Sequence, residues 1–206
     1  MKYFINLLLI SIYISMASCS NEDLKNGDSN SEDQEFVLHQ NEYFTVYAIK
    51  DIVSMQNAID EWNKKFDLKT KGEIENGFQL VNIVKSPEIE NCDVILAKKE
   101  NEYVAYYKQN GIFVRKIYIT IEQGQQNAYD ITYEDADTKA IAFVQISHDG
   151  KVRTNPLTKV AGQDVMDCIT DAYGNHGWAS VALWVETAFI PQAAAVVAIA
   201  CTARNA

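Results

Sequence analysis

The chain has 206 residues, 48% hydrophobic and 22% charged, with 18 Lys and Arg against 28 Asp and Glu and a formal net charge of −10. That balance gives a polyanion nothing to bind, so nucleic acid and anionic lipid surfaces are excluded as partners. The length suits one domain with a sizeable core, or a small domain with an appendage, and no internal repeat is present.

At the start, Lys2, an apolar run from Phe4 to Ile14 and small residues before Cys19 form the pattern of a secretory signal peptide. The run is shorter than the roughly 20 residues that cross about 30 Å of hydrocarbon, so removal rather than permanent insertion is expected. Met16-Ala17-Ser18-Cys19 resembles the bacterial lipobox, with Met16 where that family usually carries Leu. The resemblance implies cleavage of residues 1–18, a diacylglycerol on the Cys19 thiol and a further acyl chain on its amino group. Together these attach the protein to a membrane through the lipid on Cys19. Loss of Lys2 with the leader takes the net charge from −10 to −11.

From Ser20 to Glu35 the chain carries Glu22, Asp23, Asp28, Glu32, Asp33 and Glu35, with Leu24 as its lone aliphatic residue. Such a segment buries too little surface to offset the entropy of ordering, and is expected to act as an acidic linker. Ser20-Asn21-Glu22-Asp23 is similar to the acidic tract behind the lipid cysteine of surface-exported lipoproteins of the Bacteroidota. That similarity implies an outer-membrane lipoprotein of the cell envelope, displayed at the surface.

Ile52, Met55, Ile59, Trp62 and Phe66 recur at helical steps, with Asp60, Glu61, Lys64 and Lys65 on the other faces. Asp51 is the expected N-cap, and Lys64 and Lys65 suit the C-terminal end of the dipole. The aromatic stripe predicts a helix packed on a sheet in preference to a ligand-lined groove.

From Phe78 the period changes to two. The segments 78–84, 93–98, 102–108, 112–121, 128–133, 140–147 and 151–154 are rich in Val, Ile, Tyr and Phe, and turn residues separate them. Asn110-Gly111 and Asp149-Gly150 are two-residue hairpin signals. Short neighbouring strands joined in this way predict an antiparallel meander and, with the helix on one face, an α+β domain over residues 36–158. Within the paired strands, alternation predicts one aliphatic face and one face rich in tyrosine, suited to half-burial or to stacking against a ligand.

Chemistry is sparse. His39, His148 and His176 lie in unrelated segments, and no HExxH, GxSxG, GxxxxGK[ST] or GxGxxG motif occurs. Asp130, Glu134, Asp135 and Asp137 cluster at a strand end but lack the spacing of a calcium loop, so a solvated loop is expected. No catalytic residue, metal ligand or cofactor is assigned.

Residues 159–206 form an apolar helical C-terminal region. From Trp178 to Ala203 Glu186 is the lone acid, with no base before Ala203. Residues 164–173 predict a short helix, 174–177 a turn and 178–190 a second helix. Pro191 interrupts, and 192–202 predicts a third. If 178–203 were one kinked rod, Cys201 would lie about 35 Å from the turn, out of reach of Cys168. If the chain reverses at Pro191, the two reach similar heights and the Cα separation of about 5.5 Å needed for a disulfide. A Cys168–Cys201 bridge then closes the helical appendage and leaves Cys92 free.

Three roles fit this tail. It is a helical layer whose alanines allow close packing on the sheet, or a docking surface, or a membrane-active peptide. The last rests on a compositional resemblance to bacteriocin precursors. The resulting expectation is a non-enzymatic binding or interaction module of the cell envelope with a protein or glycan ligand. The alternative is a bacteriocin-like precursor whose residues 164–206 act on a target membrane.

Overall fold

The computed structural model describes residues 36–70, 77–87, 89–124, 128–147, 149, 151–156, 163–175 and 189–204, all within one compact unit, Glu35–Ala206. The leader, Cys19, the acidic linker, His148, His176 and nearly all of the helix expected over 178–190 lie outside the described residues.

Among the described residues nine strands form one antiparallel sheet in strict sequence order. They are β1 (Val37–Gln40), β2 (Thr45–Tyr47), β3 (Gln79–Lys85), β4 (Cys92–Lys99), β5 (Glu102–Gln109), β6 (Ile112–Gln123), β7 (Tyr129–Asp135), β8 (Ile141–Ile146) and β9 (Val152–Pro156). The meander is the predicted one, extended by β1 and β2. These two are too short for alternation to mark, and pairing of β2 onto β3 and of β1 onto β2 creates them. At the β5–β6 turn Asn110 and Gly111 both take positive φ, 50° and 81°, as a type I′ hairpin requires.

Helix α1 (Ile52–Thr70) begins on Asp51, whose carboxylate accepts from the Ser54 backbone N–H at 2.9 Å and from the Ser54 hydroxyl at 2.6 Å. Its stripe packs on one sheet face, here called outer. Ile59 is buried with Ile95, Ala97, Val104 and Tyr106. Trp62 stacks on Phe66 at 4.7 Å and meets the edge of Tyr106 at 6.2 Å. Lys116, also buried there, lies 4.9 Å from the Phe66 ring and donates to Asn63 Oδ1 at 3.4 Å. The aromatic stripe therefore packs against the sheet from Met55 onward, whereas Ile52, the first residue of the expected stripe, is 55% exposed.

The inner face carries the larger core, and helices α2 (Gln163–Asn175) and α3 (Ile190–Arg204) cover it. Val165, Met166, Ile169 and Tyr173 of α2, and Ala193, Ala194, Ala195, Ala198 and Ile199 of α3, pack against Val94, Ala105, Ile117, Ile119, Ile131 and Val144. Each Val, Met and Ile side chain among them contributes about 1.5–3 kcal/mol on full burial. Pro191 sits in the first turn of α3, where its missing N–H leaves no bond unmade, so it opens this helix. Cys168 of α2 and Cys201 of α3 are joined by a disulfide with Cα atoms 5.5 Å apart. Within the described residues, α2 and the part of the charge-poor tail that forms α3 thus make a packed layer on the sheet.

The two-faced arrangement of tyrosine is corrected. Tyr103 pairs with Ile119 and Ala105 with Ile117, and directly opposed residues share a face, so Tyr103 and Tyr107 lie with the isoleucines. Tyr106 and Tyr118 lie on the outer face with α1. Alternation assigns faces strand by strand, and only the cross-strand register says which faces coincide. Among the described residues no helix is long and apolar enough to cross a membrane.

Candidate functional site

Under α3, three inner-face hydroxyl groups form a buried polar seam. Tyr107 donates to the Ala195 carbonyl at 3.2 Å, Tyr133 lies 3.4 Å from the Ala194 carbonyl, and the Tyr133 and Tyr173 hydroxyls are 2.7 Å apart. Burial pushes the Tyr173 phenol up to about 12 and those of Tyr107 and Tyr133 well above 10.0. All three stay neutral donors across the physiological range. The alanines make the seam possible, because their small side chains let the α3 backbone come close enough for sheet tyrosines to reach its carbonyls. The seam clamps helices to sheet.

The acidic cluster is dispersed among separate partners, and Asp135 corrects the expectation of a solvated loop. Its carboxylate is 1% exposed, and Oδ1 accepts from the backbone N–H groups of Asp137 and Thr138, each at 2.9 Å. Oδ2 faces Arg115 Nε at 3.4 Å. The side chain shapes the β7–β8 turn, a role available to Asp wherever backbone N–H groups two and three residues on need an acceptor. Glu134 pairs with Lys139 at 3.3 Å, and Asp130 accepts from Gln145 at 2.9 Å. Among the described residues no three His, Cys, Asp or Glu converge as metal ligands.

His39 lies flat against Phe189 at 4.0 Å, a packing contact between β1 and the start of α3. Among the described residues Cys92 is the free cysteine. It is buried, and desolvation holds its thiol up at about 11, so it carries little thiolate at neutral pH.

Two of the surface depressions are lined by described residues. One, of about 460 Å³, lies at the β3–β4 and β5–β6 turns, lined by Lys85, Ser86, Asn91, Asp93 and Asn110 among others. Its charges already satisfy one another: Lys85 pairs with Asp93 at 3.6 Å and sits 4.9 Å from the Tyr47 ring.

The other, of about 430 Å³, is lined among the described residues by Phe143, Gln145, Arg153 and Thr154. The core beneath α1 takes no residue from β7, β8 or β9, so this part of the outer face lies beyond that helix. Two cross-strand rows run over it. One is Glu122, Asp130, Gln145 and Arg153; the other is Thr120, Thr132 and Phe143. Gln145 Nε2 donates to Asp130 Oδ1 at 2.9 Å, which orients the amide and leaves its Oε1 as an acceptor. Among the described residues Phe143 has no aromatic partner and Arg153 no hydrogen bond or ion pair. Nothing in the linear sequence singles out Phe143, Gln145 or Arg153. The available signal is alternation in 140–147, which puts Phe143 and Gln145 on one face, but their alignment with Asp130 and Arg153 needs the register of three strands.

Compared with protein-family models, with curated proteins and with solved structures, the chain finds no significant match.

Proposed function

We propose that this protein is a lipid-anchored module of the bacterial cell envelope, held at the outer membrane through Cys19, that binds a ligand without transforming it. The lipobox resemblance supports the anchor, and the acidic stretch from Ser20 to Glu35 would serve as the leash that displays the domain.

The observation that carries the reading is the burial of α2 and α3. Helix α3 and the helix before it, the described parts of the apolar C-terminal region, are consumed in the sheet's own principal core and are tied to each other by the Cys168–Cys201 bridge. Release of residues 164–206 as a membrane-active peptide would strip Ile117, Ile119, Ile131 and Val144 of their cover. A folded module that keeps its tail is therefore preferred over a precursor that sheds it.

The test compares wild type with Cys19→Ser in cells labelled with palmitate. The wild-type protein should carry label, sediment with membranes and keep an intact C-terminus by mass spectrometry. Cys19→Ser should lose label and become soluble. Sedimentation of the variant with membranes would defeat the anchor, and a free disulfide-closed fragment spanning α2 and α3 in the medium would defeat the module.

A further inference from the structure

We infer that the outer face of β8 and β9 is the ligand site of this module and that its ligand is a neutral carbohydrate; the inference rests on the binding-module reading above. The ring of Phe143 is half-buried and has no aromatic partner among the described residues. Around it stand polar groups of both kinds. Arg153 offers unpaired guanidinium donors, Gln145 an Oε1 acceptor oriented by its bond to Asp130, and Asp130 a second carboxylate oxygen. The Thr132 hydroxyl, directly opposite Phe143 on β7, can both donate and accept.

A pyranose has the complementary construction. Its C–H face is apolar and stacks on an aromatic ring, while its hydroxyl rim needs donors and acceptors close together. The volume of about 430 Å³ lies in the lower half of the range of small-molecule clefts, about 300–1,000 Å³. Charge selects the neutral form. Glu122, Asp130 and Glu134 share this face with Arg153, and the whole chain is at −10, so an anionic polymer meets repulsion beyond the reach of a single Arg. A cationic ligand meets Arg153 in the depression itself.

The experiment uses the full-length protein in a detergent without a sugar headgroup. Cellohexaose, maltohexaose and xylohexaose are titrated by calorimetry and by saturation-transfer NMR, with hexagalacturonate as the charged comparison. At least one neutral hexasaccharide should bind, with saturation transferred to its ring C–H protons. Phe143→Ala and Arg153→Ala should each weaken binding by about tenfold or more, which corresponds to about 1.4 kcal/mol. Thermal unfolding of both variants should match wild type, since neither side chain belongs to a core.

Binding that both variants leave unchanged overturns the site, and binding of hexagalacturonate alone overturns the ligand class. Cosedimentation of the same protein with isolated cell walls separates the two levels of the reading. If no neutral hexasaccharide binds while cosedimentation persists, the carbohydrate inference falls and the module stands; if both fail, both fall.

Discussion

Tyr133 on β7 and Tyr173 on α2 meet hydroxyl to hydroxyl at 2.7 Å, and the Tyr133 oxygen also lies 3.4 Å from the Ala194 carbonyl of α3. The arrangement that uses both protons runs from Tyr173 to Tyr133 to Ala194. One side chain of the sheet thereby links α2 and α3. The consequences for stability follow from the neutrality of that link and from the closeness of approach it demands.

Deprotonation breaks the seam. The folded-state pKa values of Tyr107, Tyr133 and Tyr173 are raised above 10.0, so their contribution is complete below pH 10 and is lost as pH rises toward and through the folded values, about 12 for Tyr173. In that window the unfolded state holds fewer protons, and stability falls by up to about 1.4 kcal/mol per pH unit for each tyrosine involved. Urea unfolding between pH 8 and 12 should show a plateau followed by a steep decline above pH 10. A flat profile would show that these hydroxyls titrate as if exposed.

The two ends of the relay differ. Tyr173→Phe leaves Tyr133 its contact with Ala194 and should cost about 1 kcal/mol, whereas Tyr133→Phe leaves the Tyr173 hydroxyl buried and alone and should cost about 1–3 kcal/mol. A double-mutant cycle by chemical denaturation should return a coupling of about 0.5–1.5 kcal/mol. Strict additivity would dissolve the pair.

Enlarging Ala195 should separate helix and sheet. Its side chain is 0% exposed and its carbonyl takes the Tyr107 proton at 3.2 Å. Ala195→Leu should therefore cost about 1–3 kcal/mol by overpacking, while Ala200→Leu, at a half-buried position of the same helix, should cost less. Equal losses would mean that α3 does not depend on close approach at Ala195.

Removing the bridge tests how firmly the tail is held. Cys168 and Cys201 are 33 residues apart, and a loop of that length gives a chain-entropy stabilisation of about 3–4 kcal/mol. The double variant Cys168→Ala with Cys201→Ala should unfold at a lower temperature than wild type, and reductant should lower the wild-type transition toward the variant's. Insensitivity of the wild type to reductant would indicate that the bridge is not formed.

At Asp135 two backbone donors and one guanidinium converge on a buried carboxylate. Asp135→Ala orphans all three and should cost about 3–5 kcal/mol, while Asp135→Asn retains the acceptor for the turn and should cost less. Amide hydrogen exchange at Asp137 and Thr138 should rise in the Ala variant and stay near wild type in the Asn variant; the opposite order would remove Asp135 from the turn.

Local periodicity and turn chemistry are sufficient for much of this fold. The steps from Met55 to Phe66 specify the α1 stripe, Asp51 its cap, and Asn110-Gly111 the β5–β6 hairpin, because each is settled by neighbours within one or two turns of chain. Sequence also narrows the cysteine pairing to a question of where the chain reverses. Only the tertiary structure decides the rest. It pairs β2 onto β3 and β1 onto β2, both strands too short to announce themselves. Cross-strand register places Tyr103 and Tyr107 beside the isoleucines and buries Asp135 in an acidic run that reads as solvated. It also aligns Phe143, Gln145, Arg153 and Asp130, drawn from three strands, beyond the reach of α1. These outcomes depend on contacts between residues distant in sequence, whose energies are shared among many partners and leave no local pattern.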